Sequence, residues 1–229
     1  MRAQLIHSFE LAPEVRHFVF EAEGVERLDF IPGQFVSISA QVGAKIITRA
    51  YSIASAPGSG ARFELCLNRV PGGTLSGPLF EMKAGDTVEI KPPLGMFVLR
   101  QPPRDSLFVA TGTGIAPFRA MLLGHLNEAS PAFTLLFGVR FESHLMYRNE
   151  FEDLAQRFSQ FRFWPTLSRP EPDWGGRTGH VQAHLAEALG ERHDVDVYLC
   201  GLKAMVDDVR RILKEMGFDR KQVFYEKYD

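Results

Sequence analysis

Between Leu107 and Leu122 the chain reads LFVATGTGIAPFRAML. An apolar run, Leu107 to Ala110, enters a turn made of Thr111, Gly112, Thr113 and Gly114. A stretch with apolar residues at helical spacing (Ile115, Phe118, Met121, Leu122) leaves it. The order predicted is buried strand, tight turn, helix. Pro117 suits a first helical turn, where its missing N–H has no intrahelical partner to lose. Two glycines let backbone approach a ligand closely, and the free N–H groups and positive dipole end of the helix favour an anion such as a pyrophosphate. The pattern is Gly-x-Gly-x-x-Pro, without the third glycine of the usual dinucleotide fingerprint. Taken alone, it also suits a strand-turn-helix that binds nothing.

Three further stretches carry residues suited to chemistry. Thr48 to Ser55 reads TRAYSIAS, so one strand offers Arg49, Ala50, Tyr51 and Ser52: a cation for phosphate, an aromatic face for a planar ring and a hydroxyl for a ring heteroatom. An ordinary strand with a surface Arg and a core Tyr would read the same. Pro71 to Gly77 contains Gly73, Thr74, Leu75 and Ser76, a glycine loop able to present N–H groups to a second phosphate, or a plain hairpin. Cys200-Gly201-Leu202-Lys203-Ala204-Met205 follows an apolar run. Among the histidines, His180 and His184 stand at i, i+4, but no HExxH pattern accompanies them, and no metal is expected.

The elements that must position these residues change character along the chain. Up to about residue 103, short alternating segments (QLIHSF, VRHFVFE, QFVSIS, RFELCLN, DTVEI) are separated by Pro/Gly turns, which predicts an antiparallel barrel or sandwich. Arg100 to Asp105 (RQPPRD) breaks this pattern, and the domain boundary is expected there: a first domain over 1–103 and a second over 104–229. Beyond it, strand-like runs alternate with helix-like ones at Ile115 to Ala129, Asn149 to Phe158, Val181 to Leu189 and Lys203 to Met216, a βαβ series with a parallel sheet. Ligands of such sheets sit at the carboxyl ends of the strands. Those ends are expected at Thr111 to Ile115, Gly138-Val139-Arg140, Leu167-Ser168-Arg169 and Cys200-Gly201.

Composition narrows the function classes. The 229 residues are 45% hydrophobic and 24% charged, ordinary for a globular protein. A formal net charge of −2 gives no bulk attraction to nucleic acid or to an anionic membrane, and no apolar run is long enough to cross a bilayer. The N-terminal MRAQLIHSFELAPE lacks an apolar signal core, so a cytoplasmic location is expected. Cys66 and Cys200, the only cysteines, cannot build a self-contained zinc site or four-thiolate cluster. Any iron–sulfur centre must then belong to a partner. The abundance of Phe points first to core packing.

Together these motifs resemble the ferredoxin–NADP reductase superfamily, and the match is collinear over nearly the whole chain. The resemblance implies an N-terminal Greek-key β-barrel that binds FAD through Arg-x-Tyr-Ser, followed by an α/β domain that binds NADP(H) through Gly-Thr-Gly-Ile-Ala-Pro and a Cys-Gly segment. It assigns Arg49 to the flavin phosphate, Tyr51 to stacking on the isoalloxazine and Ser52 to a hydrogen bond near flavin N5. Ala50 and the loop from Gly73 to Ser76 complete the FAD set. For the nicotinamide nucleotide it implies Thr111, Gly112, Thr113, Gly114, Pro117, Arg140, Cys200, Gly201 and Met205, with Ser168, Arg169 and Arg177 at the 2′-phosphate. Cys200 is placed beside the nicotinamide. The ending Phe224 to Tyr228 resembles the family's Glu-x-aromatic terminus. That likeness makes Glu226 part of the proton network and Tyr228 the cover of the flavin; Ser52, Cys200, Glu226 and Tyr228 are thus the expected catalytic group.

This chain departs from the family pattern in the extra Asp229 and in lacking a Tyr between Asn68 and Thr74 to stack the adenine. NADPH is the expected nucleotide and NADH the alternative, because His180 replaces a later family Tyr. Ferredoxin or flavodoxin is the expected partner, with another carrier protein as alternative and no nucleic acid or membrane insertion. Rival readings are an NAD(P)H:flavin reductase or oxygenase reductase component, and a non-catalytic nucleotide-binding or electron-transfer subunit of a larger complex.

Overall fold

A computed structural model describes residues 1–228; Asp229, whose effect beyond Tyr228 is open from sequence, lies outside the described residues. The chain divides into two compact units, Met1–Val98 with Ala116–Gly124, and Leu99–Ile115 with His125–Asp229.

The first unit holds six strands: β1 (Arg2–Ala12), β2 (Val15–Ala22), β3 (Phe35–Val42), β4 (Lys45–Ser52), β5 (Arg62–Asn68) and β6 (Thr87–Leu94). They pair antiparallel in the order β4-β3-β6-β1-β2-β5. Just past β4, Ile53 pairs with Leu65 of β5 and brings the two ends of the sheet together, closing the expected barrel. Alternation sends Phe18, Phe20 and Phe63 to its interior, where Phe20 and Phe63 stack at 5.6 Å between centroids. The glycine loop after Pro71 leads into a short helix, α1 (Ser76–Glu81), and so forms no hairpin. Leu75 and Ser76 turn inward there, and the Ser76 hydroxyl accepts the Val70 N–H at 3.0 Å.

Helix α2 (Ile115–His125) starts where the turn and Pro117 predict. It ends short of the expected Ala129, because the Asn127 side chain donates to the His125 carbonyl (3.0 Å) and accepts the Ala129 N–H (2.9 Å), closing a local turn in place of another helical one. Its residues 116–124 group with the barrel. Ala116, Phe118, Ala120, Met121 and Leu122 are all buried, the mark of a helix covered on most sides. Arg119 anchors it, donating to the Ala54 carbonyl (2.8 Å) and to Glu64 Oε2 (2.6 Å).

The second unit is a parallel sheet in the order β10-β9-β8-β7-β11-β12. Its strands are β7 (Ser106–Thr111), β8 (Phe133–Val139), β9 (Phe161–Leu167), β10 (Arg177–Thr178), β11 (Asp196–Leu202) and β12 (Val223–Tyr228). Helices α3 (Arg148–Arg157), α4 (Leu185–Leu189) and α5 (Lys203–Glu215) connect them. β7 and β11 are buried almost throughout, which is why they read as continuous apolar runs. α5 buries Met205, Val206, Val209 and Leu213, one stripe at helical spacing. The helix expected from Val181 begins as a 3-10 turn to His184, whose Nε2 lies 3.1 Å from Thr166 Oγ1 and 3.0 Å from the Thr178 carbonyl, a packing role.

Candidate functional site

The turn after β7 is a 3-10 turn over Gly112–Gly114 that runs directly into α2. Its glycines have separate reasons. A Cβ on Gly114 would stand 2.3 Å from the Cys200 carbonyl oxygen, so only glycine lets the turn touch the end of β11. Gly112 faces open space, with nothing within 4 Å of where its Cβ would be. On the neighbouring strand, Gly201 has φ +145°, and a Cβ there would meet Thr111 Oγ1 at 2.2 Å. Thr111 Oγ1 is itself buried with no hydrogen-bond partner among the described residues. A buried hydroxyl normally finds a partner, which sets this one apart in the turn.

Parallel pairing of β11 with β12 sets Cys200 opposite Glu226 and Leu202 opposite Tyr228. Three of the expected catalytic residues, Cys200, Glu226 and Tyr228, are thereby brought together by register. Cys200 is fully buried, and burial pushes its thiol well above the usual thiol range; the Glu226 carboxylate pushes the same way, while a hydrogen bond with the Tyr228 hydroxyl opposes both. The thiol is therefore protonated and packs as a small apolar group with a polarisable edge; it is not a thiolate nucleophile. Met205 lies beneath, its Cε 3.0 Å from the Cβ position of Gly201.

At the other side of this sheet, Ser168 and Arg169 follow β9, held by backbone hydrogen bonds to the Val139 carbonyl (3.0 Å) and the Arg140 carbonyl (2.8 Å). Arg140 and Arg169 are exposed and form no ion pair among the described residues. Arg177 is different. Its guanidinium donates to both oxygens of Glu187, at 2.6 and 3.4 Å, and lies 3.7 Å over the Trp164 ring. The sequence reading named Arg177 and did not name its partners Glu187 and Trp164. Glu187 stands ten positions away on α4, and no spacing rule joins a strand residue to a helix residue across a 3-10 turn.

In the barrel, β4 leaves Thr48, Arg49 and Ala50 exposed before Tyr51 turns partly inward and Ser52 becomes buried. The Arg49 guanidinium donates to the neighbouring Thr48 carbonyl at 2.9 Å through one nitrogen, and its exposed position turns the rest of the fork to solvent. Burial pushes the Tyr51 phenol up to about 12, with Arg49 pulling modestly the other way, so it is neutral across the working range.

Comparison with known proteins follows the same division. The model described as an oxidoreductase FAD-binding domain matches residues 2–99, and the oxidoreductase NAD-binding domain matches residues 108–211. The ferredoxin–NADP reductase B of Sorangium cellulosum is 41% identical over 237 residues, covering 99% of this chain and 97% of that protein. The chain belongs to the ferredoxin–NADP reductase superfamily. Another relative in the superfamily, the anthranilate 1,2-dioxygenase electron transfer component of Acinetobacter baylyi, is 30% identical over 90% of this chain and 60% of its own length. Among solved structures, the Amycolatopsis cytochrome P450 reductase superposes with a TM-score of 0.87 at 29% identity, over 99% of this chain and 69% of that one.

FAD and a nicotinamide nucleotide are the cofactors of the superfamily's two domains, and residues of this chain fit both. The glycine turn with its orphan Thr111 hydroxyl suits a nucleotide phosphate. The open face of β4 with its outward Arg49 suits a phosphate-bearing planar cofactor. Among the described residues, no three His, Cys, Asp or Glu cluster as a metal site, and no helix is long and apolar enough to cross a membrane.

Proposed function

We propose that the protein is an FAD-dependent reductase that moves hydride between NADPH and FAD and single electrons to or from ferredoxin or flavodoxin, in the cytoplasm. The observation that carries this reading is the end-to-end similarity to a ferredoxin–NADP reductase, together with the register that joins Cys200, Glu226 and Tyr228. A domain division at 1–103 and 104–229 assigns the flavin to the first part and the nucleotide to the second.

The bound cofactors supply the hydride chemistry, between nicotinamide C4 and flavin N5. The chain supplies placement. Arg49 neutralises phosphate charge, Ala50 and the loop Gly73 to Ser76 line the FAD, Tyr51 offers a ring face, and Ser52 offers a hydroxyl close to the ring nitrogen. The turn Thr111 to Gly114, with Pro117 in the first turn of the helix, cradles the pyrophosphate; Arg140 lines the nucleotide site, and Ser168 and Arg169, with Arg177 beside them, take the outer phosphate. Gly201 and Met205 shape the floor beside Cys200. The Cys200 thiol, kept neutral by burial, offers the nicotinamide a small uncharged packing surface. Glu226 holds or releases a proton for the flavin end, and Tyr228 covers it until the substrate displaces it.

The test is stopped-flow flavin bleaching by NADPH and by NADH, on wild type and on Arg169→Ala, followed by mixing with ferredoxin and with flavodoxin. The expected results are bleaching by NADPH, a lost NADPH preference in the variant, and salt-dependent reduction of one carrier. A protein that neither retains FAD through gel filtration nor bleaches would refute the proposal. A second reading, the reductase component of an oxygenase, is favoured by the relation to dioxygenase electron transfer components. Reduction of an oxygenase partner in place of either carrier would select it.

A further inference from the structure

The Arg177 guanidinium, unlike those of Arg140 and Arg169, is already engaged among the described residues. Three contacts hold it: the two donated to Glu187 (2.6 and 3.4 Å) and the face of Trp164 at 3.7 Å. Its backbone is fixed as well, because Trp174 Nε1 donates to the Arg177 carbonyl at 2.9 Å, and β10 pairs Arg177 with Thr166, two residues before Ser168. The arrangement is the planar, two-point pairing that guanidinium groups prefer, here completed by a carboxylate from the chain itself. A phosphate arriving at the end of β9 finds Arg169 and Arg140 unpaired among the described residues, and Arg177 already occupied. It also meets the negative charge of Glu187, whose acidity is strengthened by the Arg177 hydrogen bond. Glu187 is half exposed, so that charge faces the solvent from which the nucleotide comes.

We infer that Glu187 sets the nucleotide selectivity of this protein, by occupying Arg177 and lowering the advantage of a nucleotide bearing a 2′-phosphate over one bearing a 2′-hydroxyl. This rests on the second unit being the nucleotide-binding one. It makes Glu187 a specificity residue acting through Arg177, and it accounts for a site whose Ser-Arg pair has, in Arg177, a neighbouring guanidinium that is already engaged. Neutralising the carboxylate releases Arg177 for the phosphate while leaving the ribose and pyrophosphate contacts alone.

The probes are 2′,5′-ADP and 5′-AMP, which differ by the 2′-phosphate, titrated calorimetrically into flavin-loaded wild type, Glu187→Gln, Glu187→Ala and Glu187→Gln combined with Arg177→Gln. One additional charge-assisted hydrogen bond corresponds to about tenfold in affinity. The expected result is an about tenfold rise in the 2′,5′-ADP to 5′-AMP affinity ratio in both single variants. The rise should vanish when Arg177 is also replaced. An unchanged ratio in both single variants overturns the inference, as does a rise that survives the loss of Arg177. Wild-type protein that binds neither probe would overturn the nucleotide-binding reading itself, and this inference with it. Since Glu187 lies on the surface, two different replacements guard against a folding effect of either one.

Discussion

His17 tests how the barrel treats a buried charge. Its Nε2 lies 3.6 Å from Glu64 Oε2, a neighbour that would ordinarily hold a proton on the ring. Glu64 is already claimed by Arg119 at 2.6 Å, and the His17 side chain is only 4% exposed. Burial therefore dominates and lowers the imidazole from 6.5 to about 4; Glu64 pulls upward, while Arg119 and His7 add to the fall. The unfolded chain restores the ordinary value, so the unfolded state binds the proton more tightly. Stability contributed by neutral His17 is complete above 6.5 and is lost as pH falls from there to about 4. At about 1.4 kcal/mol for each tenfold change in proton affinity, the loss amounts to about 3 kcal/mol. His17→Phe removes the titration and keeps an aromatic ring where Phe9 stacks at 4.8 Å. Urea unfolding followed by circular dichroism, at successive pH values below the ordinary histidine range, should show wild type weakening more steeply than the variant; the difference cancels the carboxylates common to both. Identical pH dependence in the two proteins, or a His17 NMR titration at the ordinary value, would refute the reasoning. Arg119→Met adds a second check, since freeing Glu64 should raise the His17 titration point.

Two other substitution and labelling experiments bear on the second unit. Gly114→Ala places a methyl group against the Cys200 carbonyl and should cost about 1–3 kcal/mol, read as a lower melting temperature together with weaker 2′,5′-ADP binding; binding equal to wild type would show that the turn is not the cradle. Both cysteines are buried and the Cys200 thiol is held protonated, so iodoacetamide should label neither in native protein at mildly alkaline pH and both in urea. Native labelling of Cys200, detected by mass spectrometry, would contradict the role given to it as a neutral packing group.

Local pattern made most of the strands, the glycine turn and the helix start just before Pro117 readable, because each depends on residues close in sequence; the two-residue β10 was not among them. α1 escaped, since glycine and Pro78 mask a short helix whose stability comes from Leu79 and Phe80 packing into the barrel. The Arg119, Glu64 and His17 cluster escaped for another reason: its members come from α2, β5 and β2, and only the folded chain brings them within contact. The same holds for Arg177, whose residue type was legible and whose availability was not. An arginine's charge is written in sequence, but its partner is settled by tertiary packing.

Trp164 and Trp174 are the only tryptophans in the chain. The first lies beneath Arg177 at 3.7 Å; the second lies beneath Arg148 at 5.6 Å and donates to the Arg177 carbonyl. All of the indole fluorescence of this protein therefore arises from one corner of the second sheet, with a cation against each chromophore. Any event that moves Arg177 should change the emission, so the polypeptide carries its own optical probe there and needs no dye or label.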